Sequence, residues 1–309
     1  MAALKKRGMA ALSKRQINRN IALWTMFFPI VIFYVIFSYI PMGGLVVAFK
    51  QYFIQDGIWG SPWVGFRNFE IIFGSPAIAG VIWNTLRIGF LRIILTFPFP
   101  IILALLMNEV RVKLLKKGVQ TILYLPHFFS WVAVAGIALT IFSMQTGVVN
   151  TILASLGAEP YPFMYRSGSW LAVLIGSEIW KETGYSSIIY LAALTSVDPQ
   201  QYEAAAIDGA NKWKQLIHVT LPAISTTISI MLILSFGRVM SVGFEMIYSF
   251  TNEAVARDAN VISVYVYQFG IRGGQFGVTT AMGLFESVVG FVLIVFCNRI
   301  AKFFDRSLW

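Results

Sequence analysis

Six long apolar segments determine what this chain can fold into, since each holds about the 20 apolar residues that an α-helix needs to cross a membrane. The chain is 57% hydrophobic and only 12% charged, unlike a soluble domain. Transmembrane β-strands would instead alternate apolar and polar residues over about ten positions. The sequence therefore predicts an all-α integral membrane protein with six transmembrane helices. The predicted spans are Trp24–Ala48, Val81–Met107, Val119–Ser143, Trp170–Thr195, Leu221–Ile247 and Thr279–Ile300.

The distribution of Lys and Arg predicts the orientation, because cytoplasmic loops collect these residues. With a cytoplasmic N-terminus, the inside segments hold 15 Lys and Arg residues and the outside loops hold 5. We therefore expect both termini in the cytoplasm. Residues 1–20 would form a basic tail, and residues 21–309 one transmembrane domain with a cytoplasmic hairpin at 198–222. The same rule accounts for the net charge of +10 without a nucleic-acid partner.

Cysteine and histidine usage argues against a metal site or a disulfide. Cys297 is the single cysteine, and the two histidines, His127 and His218, lie far apart in the sequence. The first apolar segment is too long for the core of a signal peptide, so we expect it to be retained as a span.

The polar hairpin between the fourth and fifth apolar segments carries strong local signals. Asp198 is a good N-cap, and Pro199 occupies the first helical position, where its missing N–H costs nothing. Gly209 supplies the left-handed residue that ends a helix. Asn211 can cap a second short helix over 212–219. The sequence therefore predicts two short helices joined by a glycine turn.

Several charged residues lie inside the predicted spans, where each costs roughly 2.5–3.5 kcal/mol even on a lenient insertion scale. Because so many charges cannot face lipid, some must line an interior or a wet cavity. Glu178 and Lys181 can pair on one helix face. Arg238 and Glu245 lie two turns apart on one face, and Arg238 has no acidic residue three or four positions away, which favours a role in a transport pathway. The in-span charges are Arg87, Arg92, Glu178, Lys181, Glu182, Arg238, Glu245 and Glu286.

An aromatic content of 15% favours a pathway for sugars, because sugar rings stack on Trp and Tyr side chains. Most aromatic residues in a bundle only pack, so each candidate is individually weak. The predicted pathway residues are Arg238, Trp180, Lys181, Tyr185, Tyr190, Glu245 and Tyr248.

Two spans contain residues that disturb helices. Pro98 and Pro100 interrupt the second span and free backbone carbonyls that need other partners. Gly176 and Gly184 are expected to loosen the fourth span. Such discontinuities are typical of transporters.

No motif for energy conversion is present: the sequence lacks a G-x-x-x-x-G-K-[ST] phosphate loop, an H-E-x-x-H helix and a G-x-S-x-G elbow. A transporter without a nucleotide site must use an ion gradient or a separate motor. A rigid cytoplasmic hairpin joined to the fifth span suits a separate motor, since it offers a small helix to a groove on a partner.

The hairpin also carries a resemblance to a known family. Glu203-Ala204-Ala205, Asp208-Gly209-Ala210 and Leu221-Pro222 together resemble the EAA loop of permease subunits in binding-protein-dependent ABC importers. Members often have a second Pro soon after Leu-Pro, and residues 224–227 have none. Looser matches resemble the oligosaccharide and polysaccharide branch, which includes alginate permeases. These matches are Ile179–Lys181, Ile189–Leu194, Gly243–Tyr248, Val261–Tyr267 and Gly283–Phe285.

The resemblance implies a type I ABC importer bundle in the bacterial cytoplasmic (inner) membrane. It implies a second permease subunit, which we expect to be a different chain, two ATPase subunits and a periplasmic or lipid-anchored solute-binding protein. ATP and Mg²⁺ would bind to the ATPases, so no cofactor, catalytic residue or metal site is expected in this chain. The cargo would be an oligo- or polysaccharide, with an acidic, alginate-like sugar favoured by the cationic groups. The residues that would dock into the ATPase are Glu203, Ala204, Ala205, Asp208 and Gly209.

Two alternatives stay open. A secondary carrier or channel driven by an ion gradient would use the in-span charges as coupling groups. An intramembrane enzyme would use Glu178 or Glu286 as an acid or base. Neither alternative needs the hairpin, which therefore discriminates between them and the importer.

Overall fold

A computed structural model describes residues 14–302, and its regular elements are helices. Within this range the β pairing is limited to one isolated bridge between Lys50 and Trp63. The first half contains α1 (Lys14–Tyr34), α2 (Gly57–Gly60), α3 (Arg67–Gly74), α4 (Pro76–Thr96), α5 (Pro98–Glu109), α6 (Lys113–Tyr124), α7 (Trp131–Phe142) and α8 (Val148–Ser155). The second half contains α9 (Ser167–Thr195), α10 (Pro199–Ile207), α11 (Lys212–Gly237), α12 (Phe244–Phe250), α13 (Ala256–Ala259), α14 (Ile262–Ile271) and α15 (Phe276–Lys302).

Several helices continue through irregular turns. The chain after α1 passes through a π turn, a single α turn and a 3₁₀ segment, and α6 is followed by a 3₁₀ turn. One π turn lies inside α11, and another completes α14. These segments are Val35–Tyr39, Ile40–Met42, Gly43–Phe49, Leu125–Phe128, Leu216–Thr220 and Val266–Ile271.

Four helices in the described part of the chain are long and apolar enough to cross a membrane, and they overlap predicted spans one, two and six and the first part of span five. They are Leu23–Phe49, Pro76–Glu109, Lys212–Gly237 and Phe276–Lys302. The helix α9 has 29 residues, enough to cross a bilayer, but it carries three charged residues near its centre. The number of crossings and the side on which the termini lie stay predictions. The basic tail lies largely outside the described residues.

The third and fifth predicted spans are not continuous helices, contrary to the sequence prediction. The segment expected at Val119–Ser143 bends by 102° between α6 with its 3₁₀ turn and α7. The segment expected at Leu221–Ile247 breaks after Gly237, and α12 begins only at Phe244. Glycine is the weakest ordinary residue inside a helix, and Gly237 and Gly243 flank this second break.

The two prolines do not break the predicted second span: Phe97, between α4 and α5, keeps helical dihedral angles and donates its backbone N–H to the carbonyl oxygen of Ile93, so Pro76–Glu109 runs as one helix. The predicted loosening of span four is wrong, because α9 is continuous. At Gly184 an added Cβ would lie 1.9 Å from the carbonyl oxygen of Leu123 in α6. Gly184 therefore serves close helix packing, as small residues do in membrane bundles.

The helix α9 is the centre of the bundle, and several other helices pack against it. Its C-terminal half packs on α5 through an apolar cluster that includes Ala104 and Tyr190. Near its N-terminus the fully buried Trp170 donates its Nε1–H to the carbonyl oxygen of Phe250, 2.8 Å away. The last helix, α15, packs on α11 and on the 3₁₀ segment Gly43–Phe49. These contacts place α5, α9 and α11 around a common interior.

Candidate functional site

The hairpin forms as the sequence predicts. Asp198 is the N-cap of α10, and its Oδ1 accepts a hydrogen bond from the backbone N–H of Gln200 at 2.9 Å. Gly209 has φ +77°, the left-handed conformation that favours glycine. Asn211 caps the next helix, and its Oδ1 accepts from the backbone N–H of Lys214 at 2.9 Å. The turn is therefore fixed by local hydrogen bonds at both helix starts.

The second helix of the hairpin is not the short element expected over 212–219. It continues through its π turn into α11 as one rod of 26 residues. The two helices of the hairpin are also tied to each other, because the hydroxyls of Tyr202 and Thr220 lie 3.1 Å apart. A salt bridge of 3.3 Å joins Lys212 Nζ to Glu109 Oε2 at the end of α5.

The outer surface of the hairpin is open. Glu203, Ala204, Asp208 and Gly209 are exposed, and Ala205 is half-buried. Glu203 forms no ion pair with any side chain that the structure describes. The residues singled out in the sequence as a docking surface are therefore accessible together.

The structure adds two apolar residues that the sequence prediction missed. Ile207 is 87% exposed and Trp213 is 67% exposed, on either side of the glycine turn. The signal was available in the sequence, because large apolar residues in a polar hairpin outside the membrane need a partner surface. Behind Trp213 lies a cavity of about 480 Å³, which Leu106 and Tyr202 also line.

A second, polar cavity of about 440 Å³ lies between α4, α5, α9 and the end of α11. The junction between α4 and α5 forms part of its wall, through Thr96, Phe97 and Pro100. Proline has no backbone N–H, so Pro98 and Pro100 leave helix carbonyl oxygens in this region without their usual donors. Pro100, one of the two prolines predicted to disturb this span, therefore lines the cavity.

A bidentate ion pair joins two of the helices that line the cavity. Arg92 in α4 donates from Nε to Glu178 Oε2 at 2.7 Å and from its terminal nitrogen to Glu178 Oε1. The predicted pairing of Glu178 with Lys181 is therefore wrong. Lys181 Nζ instead lies 2.8 Å from Glu182 Oε1 and donates to the carbonyl oxygen of His127 at 2.8 Å. The forked guanidinium matches a carboxylate better than an ammonium group does, which favours Arg92 as the partner.

Two of the predicted pathway residues, Arg238 and Tyr190, line this cavity, together with Arg92 and Glu182, which were not in the predicted set. Arg238 lies at the C-terminal end of α11, not in mid-helix, and shares no continuous helix face with Glu245. Its side chain is exposed and forms no ion pair within the described residues. The cavity thus contains a cation without a partner carboxylate.

The other predicted pathway residues lie elsewhere. Lys181 is buried, and its Nζ lies 5.4 Å from the centre of the Trp131 ring. Tyr185 stacks on His127 with 3.9 Å between ring centres. Trp180 lines a separate, mainly apolar cavity between α7 and α9. These three side chains do not line the polar cavity.

The last two candidates lie near α12. Glu245 Oε1 accepts from the backbone N–H of Trp131 at 3.2 Å. Tyr248 joins an aromatic cluster with Phe244 and Tyr267, with ring centres 5.0 and 5.4 Å from its own. Neither residue lines the cavity that contains Arg238.

The geometry gives little support to an intramembrane enzyme. Glu178 is engaged by Arg92, and Glu286 Oε1 accepts from the hydroxyl of Ser241 at 2.7 Å. Among residues 14–302 there is no group of three or more His, Cys, Asp or Glu side chains that could hold a metal ion.

Comparison with known proteins identifies related chains. Residues 71–309 match the family model described as "Binding-protein-dependent transport system inner membrane component". Protein LplB of Bacillus subtilis is 42% identical over 291 residues, which cover 94% of this chain and 92% of LplB. The polygalacturonan/rhamnogalacturonan transport system permease protein YteP of the same organism is 42% identical over 285 residues, covering 92% of this chain and 89% of YteP.

Two solved structures are also similar. A chain of a bacterial ABC transporter involved in the import of the acidic polysaccharide alginate superimposes with a TM-score of 0.84 at 41% identity, covering 93% of this chain and 97% of that chain. A chain of a bacterial alginate ABC transporter, in complex with a periplasmic protein that holds an alginate pentasaccharide, gives a TM-score of 0.85 at 40% identity. That match covers 95% of this chain and 98% of the other.

Proposed function

We propose that a separate ATPase drives this chain through the 198–222 hairpin. The chain belongs to the family of inner-membrane components of binding-protein-dependent transport systems, as a type I ABC permease of the sugar-importing branch. It is a multi-pass protein of the bacterial inner membrane and a transport component. The expected motion is alternating access by rigid-body rearrangement, powered by ATP hydrolysis in the partner.

One observation carries the coupling proposal: the hairpin is joined at both ends to helices that wall the polar cavity. Only residues 196–198 separate α9, which carries Glu178 and Glu182, from α10. On the other side, α11 runs unbroken from the Asn211 cap to the cavity residue Arg238, a distance of about 39 Å at 1.5 Å per residue. A displacement of the hairpin therefore reaches both walls without a flexible loop.

The docking contact would combine a charged side chain with small side chains that allow close packing. Glu203 offers a carboxylate that an Arg of the ATPase could hold with two hydrogen bonds. Ala204 and Ala205 allow a close approach of the partner's surface. The exposed Ile207 and Trp213 extend the contact with apolar area, and Trp is among the residues enriched at binding hot spots.

The coupling proposal is tested by reversing the charge of Glu203 or distorting the glycine turn. Glu203→Arg and Gly209→Asp should abolish sugar uptake, while the protein stays in the membrane at normal amounts. Gln201→Arg is the matched control, because it places the same side chain on the same helix about 200° away, at 100° per residue. Gly209→Asn is the second control, since Asn tolerates the left-handed conformation better than most residues.

The readouts are uptake by cells and co-purification of the ATPase subunits with the permease. Normal uptake in both Glu203→Arg and Gly209→Asp would refute the coupling proposal. Uptake that persists without ATP but collapses with the ion gradient would favour a secondary carrier. In either case the sugar specificity of the cavity would remain a separate question.

For the cargo we propose an acidic oligo- or polysaccharide. The support is the unpaired Arg238 in the polar cavity and the similarity to alginate and polygalacturonan permeases. A hydrogen bond to a charged group contributes about 1.5–3 kcal/mol, so losing such a contact should weaken acidic-sugar transport roughly tenfold or more. We expect Arg238→Ala to reduce uptake of an acidic oligosaccharide more than that of a neutral one, with partial recovery in Arg238→Lys. Equal losses for both sugars would assign Arg238 a structural role.

The remaining partners complete the proposed importer. They are a second permease subunit of different sequence, two ATPase subunits that bind ATP and Mg²⁺, and a periplasmic or lipid-anchored solute-binding protein. A periplasmic protein loaded with alginate accompanies one of the similar solved structures, which supports the last of these. Purification of the intact complex, followed by identification of its subunits, tests the composition.

A further inference from the structure

The segment that leads into α6 concentrates positive charge without acidic neighbours in the sequence. Arg111, Lys113, Lys116 and Lys117 fall within seven residues, and no Asp or Glu occurs between Glu109 and Glu159. The nearest of these two, Glu109, is engaged by Lys212 at 3.3 Å. None of the four cations forms an ion pair within residues 14–302. Their counterions must therefore come from outside the described chain.

The same segment exposes large apolar side chains. Leu114 is 82% exposed, Ile122 is 71% exposed and Leu115 is 56% exposed. At 100° per residue, Ile122 lies about 180° and Leu115 about 200° from Lys113 around the helix, whereas Lys117 lies only about 40° from it. A bare apolar strip thus lies opposite a basic strip on one helix.

A third strip fixes how α6 sits on the bundle. Val119 and Leu123 pack into the cluster that includes Tyr190 and Leu194. The backbone of Leu123 also lies against Gly184 of α9, where an added Cβ would be 1.9 Å from its carbonyl oxygen. Because this contact holds the helix firmly, the basic and apolar strips keep fixed directions relative to the bundle.

We propose that this basic-apolar surface of α6, formed by residues 111–122, binds anionic lipid headgroups at the membrane surface. A helix with one strongly basic strip and one bare apolar strip suits the boundary between headgroups and acyl chains. Each Lys or Arg near an anionic surface gains attraction that corresponds to about a fivefold change in binding. Charge complementarity commits the proposal to an anionic lipid, and it is independent of the transported sugar and of the hairpin.

The test compares the complete transporter in nanodiscs of phosphatidylglycerol mixed equally with phosphatidylcholine and in nanodiscs of phosphatidylcholine alone. Hydrogen–deuterium exchange of residues 111–124 reports the contact. We expect slower exchange in the anionic discs, and we expect this difference to shrink at high salt because surface charge is screened.

Matched variants separate this site from general charge. Lys113→Gln/Lys117→Gln removes two exposed charges from the basic strip and should abolish most of the difference between the two lipids. Arg299→Gln/Lys302→Gln removes two exposed charges from the end of α15 and should leave the difference intact. Leu114→Gln should weaken the contact while leaving the charge unchanged.

Three results would overturn the proposal. Exchange that is the same in both kinds of disc would exclude anionic lipid as the occupant. An equal loss in the α6 and α15 variants would reduce the effect to overall charge. Protection in phosphatidylcholine discs that disappears when the ATPase subunits are removed would assign the surface to a protein partner instead.

Discussion

Replacing Gly184 with alanine should separate two helices that the native chain packs backbone to backbone. The added Cβ would lie 1.9 Å from the carbonyl oxygen of Leu123 and 2.6 Å from its carbonyl carbon, whereas ordinary contacts begin near 3.4 Å. The oxygen contact must therefore open by the difference between 1.9 and 3.4 Å, about 1.5 Å. Both obstructing atoms belong to the backbone, so no side-chain rotation can relieve the clash.

Overpacking of this kind typically costs 1–3 kcal/mol, and we expect a loss of about that size in the free energy of unfolding. Gly176→Ala on the same helix is the matched control, because an added Cβ there meets nothing within 4 Å. Alanine is favoured over glycine inside a helix by roughly 0.5–1 kcal/mol, so the control should be neutral or slightly stabilising. The two variants thus have opposite expected signs.

The measurement is the thermal unfolding midpoint of the purified protein in detergent. A loss of 1 kcal/mol lowers the midpoint by about 2–4 °C in domains of 150–250 residues, which sets the scale for Gly184→Ala. Equal midpoints for Gly184→Ala and Gly176→Ala would refute the close approach of α6 to α9. If both variants fell together, glycine flexibility along α9 would matter instead of packing.

Two further predictions concern the cavity and the hairpin. Glu178→Gln should lower the free energy of unfolding by about 1.5–3 kcal/mol, because it removes the charged partner of Arg92. The double variant Arg92→Gln/Glu178→Gln should recover part of this stability, as measured by thermal unfolding. Asp198→Ala should lower the local stability of the start of α10 by about 1 kcal/mol and speed hydrogen exchange there. Asp198→Asn is the control, because Asn can also cap a helix. Unchanged exchange in Asp198→Ala would show that the cap does not stabilise α10.

The hairpin could be predicted from sequence because its determinants are local. The Asp198 cap acts two residues ahead, the Asn211 cap acts three residues ahead, and Gly209 acts through its own φ angle. Each such signal can be recognised within a window of a few residues. The extent of the second helix was missed because Pro222 is a local signal for a helix boundary, whereas the chain passes it as one helix through the π turn Leu216–Thr220.

The cavity could be predicted only as a set of charges, because their partners are distant in the chain. Glu178 pairs with Arg92, 86 positions away, whereas the sequence offered Lys181 three positions away. Helix geometry allowed the local pair with Lys181, but the packing of α4 against α9 brings the guanidinium of Arg92 to Glu178, where it donates two hydrogen bonds. Residue type therefore predicted that these charges were buried together, and only the fold decided which pairs formed.

The break after Gly237 changes what the cavity charge can do. In an unbroken fifth span, Arg238 would be held by helix geometry at membrane depth beside apolar neighbours. In the structure it is the C-terminal end of α11, and its backbone N–H bonds to the carbonyl oxygens of Ser235 and Phe236. No helix follows Arg238 before Phe244, and its carbonyl oxygen accepts only a turn hydrogen bond, from the backbone N–H of Ser241 at 3.0 Å. Arg238 therefore lies where an axial movement of α11, begun at the hairpin, alters the charge facing the cavity most directly.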